Sequence, residues 1–229
     1  MFEGMKAIAI DGPASAGKST MAKYLSKALR YIYVDTGALY RAIGLYCVQK
    51  GADTTDGKQV EELLNEVVVE LKYVDGEQRV FLNGKDVSQE IRQPEISMAA
   101  SNVSAISAVR DFLFELQRDM AKHNNVVMDG RDIGTVVLPE ADLKIYLTAS
   151  PEERARRRRN EYLEKGLETD YDALLQEIMQ RDYNDKHRMI APLKKAEDAI
   201  EVDTTNDNME AAIGRLMELV KEKLGDVAV

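Results

Sequence analysis

The stretch GPASAGKST at residues 12–20 places two glycines, a lysine and two hydroxyls within a few positions of one another. It fits G-x-x-x-x-G-K-[ST]. Glycine lets successive backbone N–H groups converge on an anion, and a helix beginning at the lysine aims its positive end at the same point. The chemistry this implies is a polyphosphate cradle. Gly12, Pro13, Ala14, Ser15, Ala16 and Gly17 would form the loop, Lys18 would reach the terminal phosphates, and Ser19, followed by Thr20, would help hold Mg²⁺. An ordinary glycine turn with a surface lysine is the alternative. The context opposes it, because the apolar run at 5–10 reads as a buried strand before the loop. After the loop, residues 18–29 read as a helix with Met21, Leu25 and Leu29 at spacing four.

Arginines and carboxylates recur at other strand exits and on late helices. Asp129-Gly130-Arg131-Asp132 follows the short apolar run 126–128, so it belongs at the carboxyl edge of a sheet, where open α/β folds bind ligands. There Asp129 could act near a metal and Arg131 on a phosphate; a plain Asp/Gly turn is the alternative. Arg41 follows Asp35-Thr36-Gly37, another strand exit. Arg181, Asp185 and Arg188 fall at i, i+4 and i+7, so they are expected on one helix face. The apolar stripe of Leu174, Leu175, Ile178 and Met179 fades over that end, as on a helix lining a wet cleft, although a solvated salt-bridged face has the same pattern. Arg154 and the run Arg156-Arg157-Arg158-Arg159 are the densest basic cluster. Beside a phosphate loop they suit a mobile lid that closes over donor phosphates and expels water. A solvated face is the alternative, and a nucleic-acid patch is disfavoured further, because the run has no interleaved aromatics.

The elements that must position these groups can be read from periodicity. Strands are expected at 5–10, 31–34, 126–128, 143–147 and 200–202, and helices at 18–29, 38–49, 95–102, 105–122, 171–188 and 209–224. Ser150-Pro151-Glu152-Glu153 is a helix start, with a hydroxyl cap, proline at the first position and acids in the first turn. Residues 67–74 and 79–82 are β-rich around an Asp75-Gly76 turn signal and read as a hairpin inserted into a βα architecture. Strands alternating with helices predict an α/β fold with a mostly parallel sheet covered on both faces.

The 229 residues allow one sizeable domain. With 31 Lys+Arg against 40 Asp+Glu, the net charge of −9 weighs against non-specific binding to nucleic acid or anionic membranes. The one cysteine, Cys47, sits in an apolar helical pattern and reads as a small buried side chain. His123 and His187 are far apart and leave no zinc spacing. No apolar segment is long enough to span a membrane, and a reducing, cytoplasmic setting is the default expectation.

Nucleotide machines of several kinds share such a loop. No N-K-x-D or D-x-x-G occurs, which weighs against a switch GTPase, and no L-S-G-G-Q-like segment marks a transporter ATPase. What remains resembles the bacterial cytidylate kinases, P-loop kinases of nucleoside monophosphates, nearly end to end. IDGPASAGKST, YVDTGALYRA, MDGRDIGTVVLPEADLKIYLTAS, EERARRRR and RDYNDKHR with the following APL carry the resemblance. It implies a three-layer P-loop fold in one domain over 1–229. An inserted β-rich monophosphate-binding region at 36–103 is implied too, as are an arginine-rich helical lid and acceptor-lining helix at 151–189. It implies transfer of the γ-phosphoryl group of MgATP to CMP or dCMP in pyrimidine nucleotide metabolism, by a monomer. Motif by motif, it assigns the acceptor phosphate to Arg41, Arg131 and Arg188 with Thr36 nearby. The cytosine edge falls to Ser101, Arg110 and Asp132 and the sugar to Arg181 and Asp185. Lys18 and, of the lid arginines, Arg154 and Arg157 are expected at the donor phosphates. Arg30-Tyr31 departs from the family, standing where a glycine-containing turn is expected.

Cytosine presents an N4 amino donor beside the N3 and O2 acceptors, so a carboxylate can accept from N4 while an arginine donates to N3 or O2. Another P-loop kinase, acting on UMP, AMP or a non-nucleotide, is the nearest competing expectation. A nucleotide-dependent regulator or RNA-binding protein using the arginine run is one from another class.

Overall fold

A computed structural model of the chain describes residues 4–74 and 77–225. In chain order the strands and helices are β1 (Ala7–Asp11), α1 (Lys18–Leu29), β2 (Ile32–Asp35), α2 (Thr36–Gln49), α3 (Gly57–Leu64), β3 (Val69–Val74), β4 (Glu77–Leu82) and β5 (Lys85–Asp86). They continue with α4 (Ile96–Val103), α5 (Ser107–His123), β6 (Val126–Gly130), β7 (Leu143–Thr148), α6 (Pro151–Glu164), α7 (Tyr171–His187), β8 (Ile200–Asp203) and α8 (Met209–Leu224). The chain divides into two compact units, one of Met1–Tyr33 with Ala121–Val229 and the other of Val34–Met120.

The first unit is built on a five-stranded sheet in the order β2-β6-β1-β7-β8. β1 runs parallel to both β6 and β7, and β7 runs parallel to β8. Every residue of β1 and β6 is buried, as central strands covered on both faces require. On one face Ile8, Ile10, Leu143, Ile145 and Leu147 meet Met21, Leu25 and Leu29 of α1 and Leu216 and Val220 of α8. The spacing-four stripe read in α1 is therefore its core face. The register pairs Ile10 with Asp129 and with Ile145, which brings the carboxyl ends of β1, β6 and β7 to one edge. Gly12 leaves that edge so close to β7 that a Cβ on it would lie 1.9 Å from the Leu147 carbonyl oxygen, so no other residue fits there.

Between α1 and β2 the position where a glycine was expected is Arg30, and it takes the left-handed conformation itself, at φ 57° and ψ 36°. The turn is held by Tyr31 N–H donating to the Ser26 carbonyl at 2.8 Å. Helix α6 starts as read: Ser150 is its cap, accepting from Glu153 N–H at 3.2 Å, with Pro151 in the first turn. Helix α7 departs from the reading. It ends at His187, and Arg188 is extended at φ −61° and ψ 142°, so Arg188 does not continue the face of Arg181 and Asp185. The reason is local: Leu193 N–H donates to the Asp185 carbonyl at 2.8 Å and the Arg188 side chain folds onto the Ala191 carbonyl, also at 2.8 Å, turning the chain out of the helix.

The second unit packs α2 on α4, where a Cβ on Gly44 would lie 3.0 Å from Ala100 N, and closes its core with Leu39, Ile43, Ile91, Val103 and Leu113. A three-stranded antiparallel sheet in the order β3-β4-β5 carries Val69, Val80 and Leu82 into this core. The expected hairpin is thus β3 and β4, while its Asp75-Gly76 turn lies outside the described residues. α3 was not read from the sequence, although Asp56 caps it and Val60, Leu63 and Leu64 follow at helical spacing.

Candidate active site

The loop after β1 reaches α1 through Gly17, whose φ of 90° makes the turn into the helix. Lys18 is buried and donates from Nζ to the Pro13 carbonyl at 2.7 Å, so its ammonium is folded back over the loop. Burial pushes it well below the ordinary lysine range, and the Arg131 and Arg181 guanidiniums push the same way, against Asp129 and Asp185. Positive charges gathered at a helix start favour an anion.

Asp129 faces the same helix start. Ser19 Oγ donates to its Oδ2 at 2.9 Å and Tyr33 Oη to its Oδ1 at 3.0 Å. A hydroxyl and a carboxylate are hard oxygen donors of the kind Mg²⁺ takes. Among the described residues no group of three or more His, Cys, Asp or Glu could hold a metal ion.

Beyond β6, Arg131 Nε donates to Asp185 Oδ2 at 2.8 Å, and Arg188 Nη2 donates to Asp132 Oδ1 at 3.2 Å. Burial opposes ionisation of Asp185, yet the Arg131, Arg181 and Arg188 guanidiniums hold its carboxyl below the usual carboxylate range. Arg131, Asp132, Asp185 and Arg188 are thus joined in two ion pairs, with Arg181 electrostatically coupled to them, although Arg188 arrives from a loop and not from a helix face.

The arginine-rich helix divides its side chains. Arg154, 2% exposed, makes a two-pronged pair with Asp182 at 3.1 and 2.6 Å and donates to the Ala14 carbonyl of the phosphate loop at 3.1 Å. Arg157 donates to Glu153 and to the Thr204 carbonyl, and its Nη1 lies 4.0 Å from where a Cβ on Gly17 would sit. Arg156 and Arg159 instead line a cleft of about 430 Å³ with Tyr171 and Thr205. Asp182→Ala would leave a buried guanidinium without its carboxylate, at a cost of about 3–5 kcal/mol. Thermal denaturation should show Tm falling by about 10 °C; an unchanged Tm would mean the pair contributes nothing.

In the second unit, Thr36 is the buried first residue of α2, which Asp35 caps by accepting from Ala38 N–H at 3.0 Å. Arg41 donates to the Ile91 carbonyl at 3.2 Å. The Arg110 guanidinium lies over the Tyr40 ring at 5.7 Å and donates to the Ser104 carbonyl, while the Ser104 hydroxyl donates to the carbonyl of Ser101. Ser101 and Arg110 are therefore linked through Ser104.

The cytidylate kinase family model matches residues 8–222. The chain belongs to the cytidylate kinase family. The curated cytidylate kinase of Caldicellulosiruptor saccharolyticus is 52% identical over 219 residues, 96% of this chain and 97% of its own length. Those of Lactobacillus johnsonii and Anoxybacillus flavithermus are 50% and 48% identical, each aligned over at least 94% of either chain. The family resemblance read in the motifs thus holds for nearly the whole chain.

Within this family member, sequence reasoning passed over three buried groups that hold the motif residues. Tyr33 and Asp182 are two, and their partners lie 96 and 28 residues away. The third is Asp11, whose carboxylate accepts from Ile133 N–H and Gly134 N–H at 2.8 and 2.7 Å. Its pKa is pushed up to about 6 by burial, against the pull of those two N–H groups. The folded chain therefore holds this proton more tightly than the unfolded one. The corresponding stability is full below about pH 4 and is lost as pH rises through about 6, so at neutral pH the charge costs roughly 3 kcal/mol.

Proposed function

We propose that the chain transfers the γ-phosphoryl group of MgATP to CMP or dCMP, releasing ADP and CDP or dCDP for pyrimidine nucleotide metabolism. The observation that carries the reading is the gathering of Lys18, Arg131 and Arg181 beside the glycine-rich loop, next to the ion-paired Asp132. Residues 12–20 take the donor triphosphate on their N–H groups and on the Lys18 ammonium. Arg157 supports the donor beside Gly17, and Arg154 does so through the loop it braces. Arg131 and Arg188 hold the acceptor phosphate, Asp132 accepts from the cytosine N4 amino group, and Arg181 and Asp185 meet the sugar. From the second unit, Thr36, Arg41 and Ser101 of the 36–103 segment, and Arg110 beyond it, keep the acceptor roles that the resemblance implies. The 151–189 segment supplies the lid, whose closure keeps water from acting as acceptor.

Ser19 and Asp129 would hold Mg²⁺, which when bound neutralises charge on the β- and γ-phosphate oxygens. The acceptor oxygen needs no general base, since a phosphate monoester is largely dianionic at neutral pH, its second pKa being about 6. That oxygen attacks the γ-phosphorus in line as the bond to the β-phosphate oxygen breaks, and ADP leaves carrying the electron pair. The protein's part is alignment and screening by Lys18, Arg131, Arg157 and Arg188. Among the described residues no helix is long and apolar enough to cross a membrane; we assign the enzyme to the cytoplasm, as a monomer that binds neither nucleic acid nor membrane.

An assay of ADP release with CMP, dCMP, UMP and AMP tests the reading. Turnover is expected with CMP and dCMP and should be lower with UMP by up to about 10⁴-fold in efficiency, because uracil sets its O4 acceptor against a carboxylate. Strong turnover with UMP alone would overturn it.

A further inference from the structure

Asp11 closes β1 one residue before the phosphate loop, where a free carboxylate would repel the anion that the loop collects. Both of its oxygens are instead taken up by the segment that follows Asp132. The Ile133 N–H that donates to Oδ1 lies in the same peptide plane as the Asp132 carbonyl. That carbonyl accepts in turn from Val136 N–H at 2.9 Å and Val137 N–H at 3.2 Å. The peptide after Asp132 is thus gripped from both edges, which sets the Asp132 backbone at φ −143° and ψ 26°, neither helical nor extended. From this backbone the Asp132 carboxylate meets Arg188.

The grip depends on close approach. A Cβ on Gly134 would lie 3.0 Å from Lys144 Cδ and 3.4 Å from Asp11 Oδ2. Lys144 sends its ammonium to Asp198, so it is peptide N–H groups that engage the two Asp11 oxygens. A buried charge bound to backbone in this way fixes the direction of what it binds, at a cost to stability that a neutral side chain would not carry.

We infer that Asp11 is a positioning residue for Asp132, and through it for discrimination among acceptor bases; this rests on the acceptor assignment proposed above. Asp11→Asn keeps the shape and one acceptor but turns an NH₂ toward one of the two N–H groups. The ratio of kcat/KM for CMP to that for UMP should fall about 10-fold, while KM for ATP stays within about twofold of wild type. Because the effect passes through Asp132, adding D11N to D132N should lower the ratio no further. A folded D11N enzyme with the wild-type ratio would overturn the inference. So would equal losses toward CMP and ATP, or an additive double variant. If D11N does not fold, Gly134→Ala pushes the same turn from its other side and should produce the same selective loss; an unchanged ratio there would also overturn it. A wild-type enzyme without cytosine preference would remove the acceptor assignment and this inference together, whereas wild-type preference kept intact in D11N removes the inference alone.

Discussion

Lys18→Ala is expected to lower turnover by about 10³-fold, the scale of losing a charge that acts on the migrating phosphoryl group, while the chain stays folded. Lys18 is the one ammonium in the loop, and its Nζ already lies against the Pro13 carbonyl, over the place where the donor phosphates are assigned. Its burial beside Arg131 and Arg181 is electrostatically unfavourable, so removing it relieves repulsion as well as deleting a contact. Stability should therefore change little. Single-turnover kinetics at saturating nucleotide and a thermal melt together check this. Near-normal turnover would sink the role of Lys18, and a large drop in Tm would mean that the residue is chiefly structural.

Asp132→Asn is expected to cut kcat/KM for CMP about 100-fold and to narrow the preference over UMP. The carboxylate only accepts hydrogen bonds, which suits the N4 amino group of cytosine. The amide both accepts and donates, so it can also serve uracil O4. The substitution also takes a charged partner from the buried Arg188 side chain, which Asp132 meets at 3.2 Å, so KM for the acceptor should rise along with the loss of selectivity. The acceptor panel run on this variant reads both effects. If the CMP to UMP ratio is unchanged, Asp132 does not read the base.

Much of this protein is legible one short window at a time. The loop at residues 12–20 works through its own glycines and the helix that follows it. The Ser150 cap, the α1 stripe and the bounds of α8 are local too, and each appears where the pattern puts it. These features record short-range physics, namely which residues tolerate a turn, cap a helix or repeat at its period. Local pattern is silent where a second segment intervenes. Nothing in RDYNDKHR says that the helix stops before its last arginine; the Leu193 N–H bond to the Asp185 carbonyl and the turn at Ala191 decide that.

The sequence by itself determined a βα unit with a glycine-rich loop, the family and the set of charged residues available for the reaction. Only the tertiary structure decided which of those charges meet. Because β1 lies between β6 and β7, Asp11 reaches peptides 122 and 123 residues away, and Ser19 and Tyr33 converge on Asp129. Arg154 is committed to Asp182 and the loop while Arg156 stays at the surface with Glu153. Strand order and side-chain direction set these pairings, and neither is encoded in the spacing of residues along the chain, since a hydrogen bond depends on distance in space and a motif records only distance in sequence.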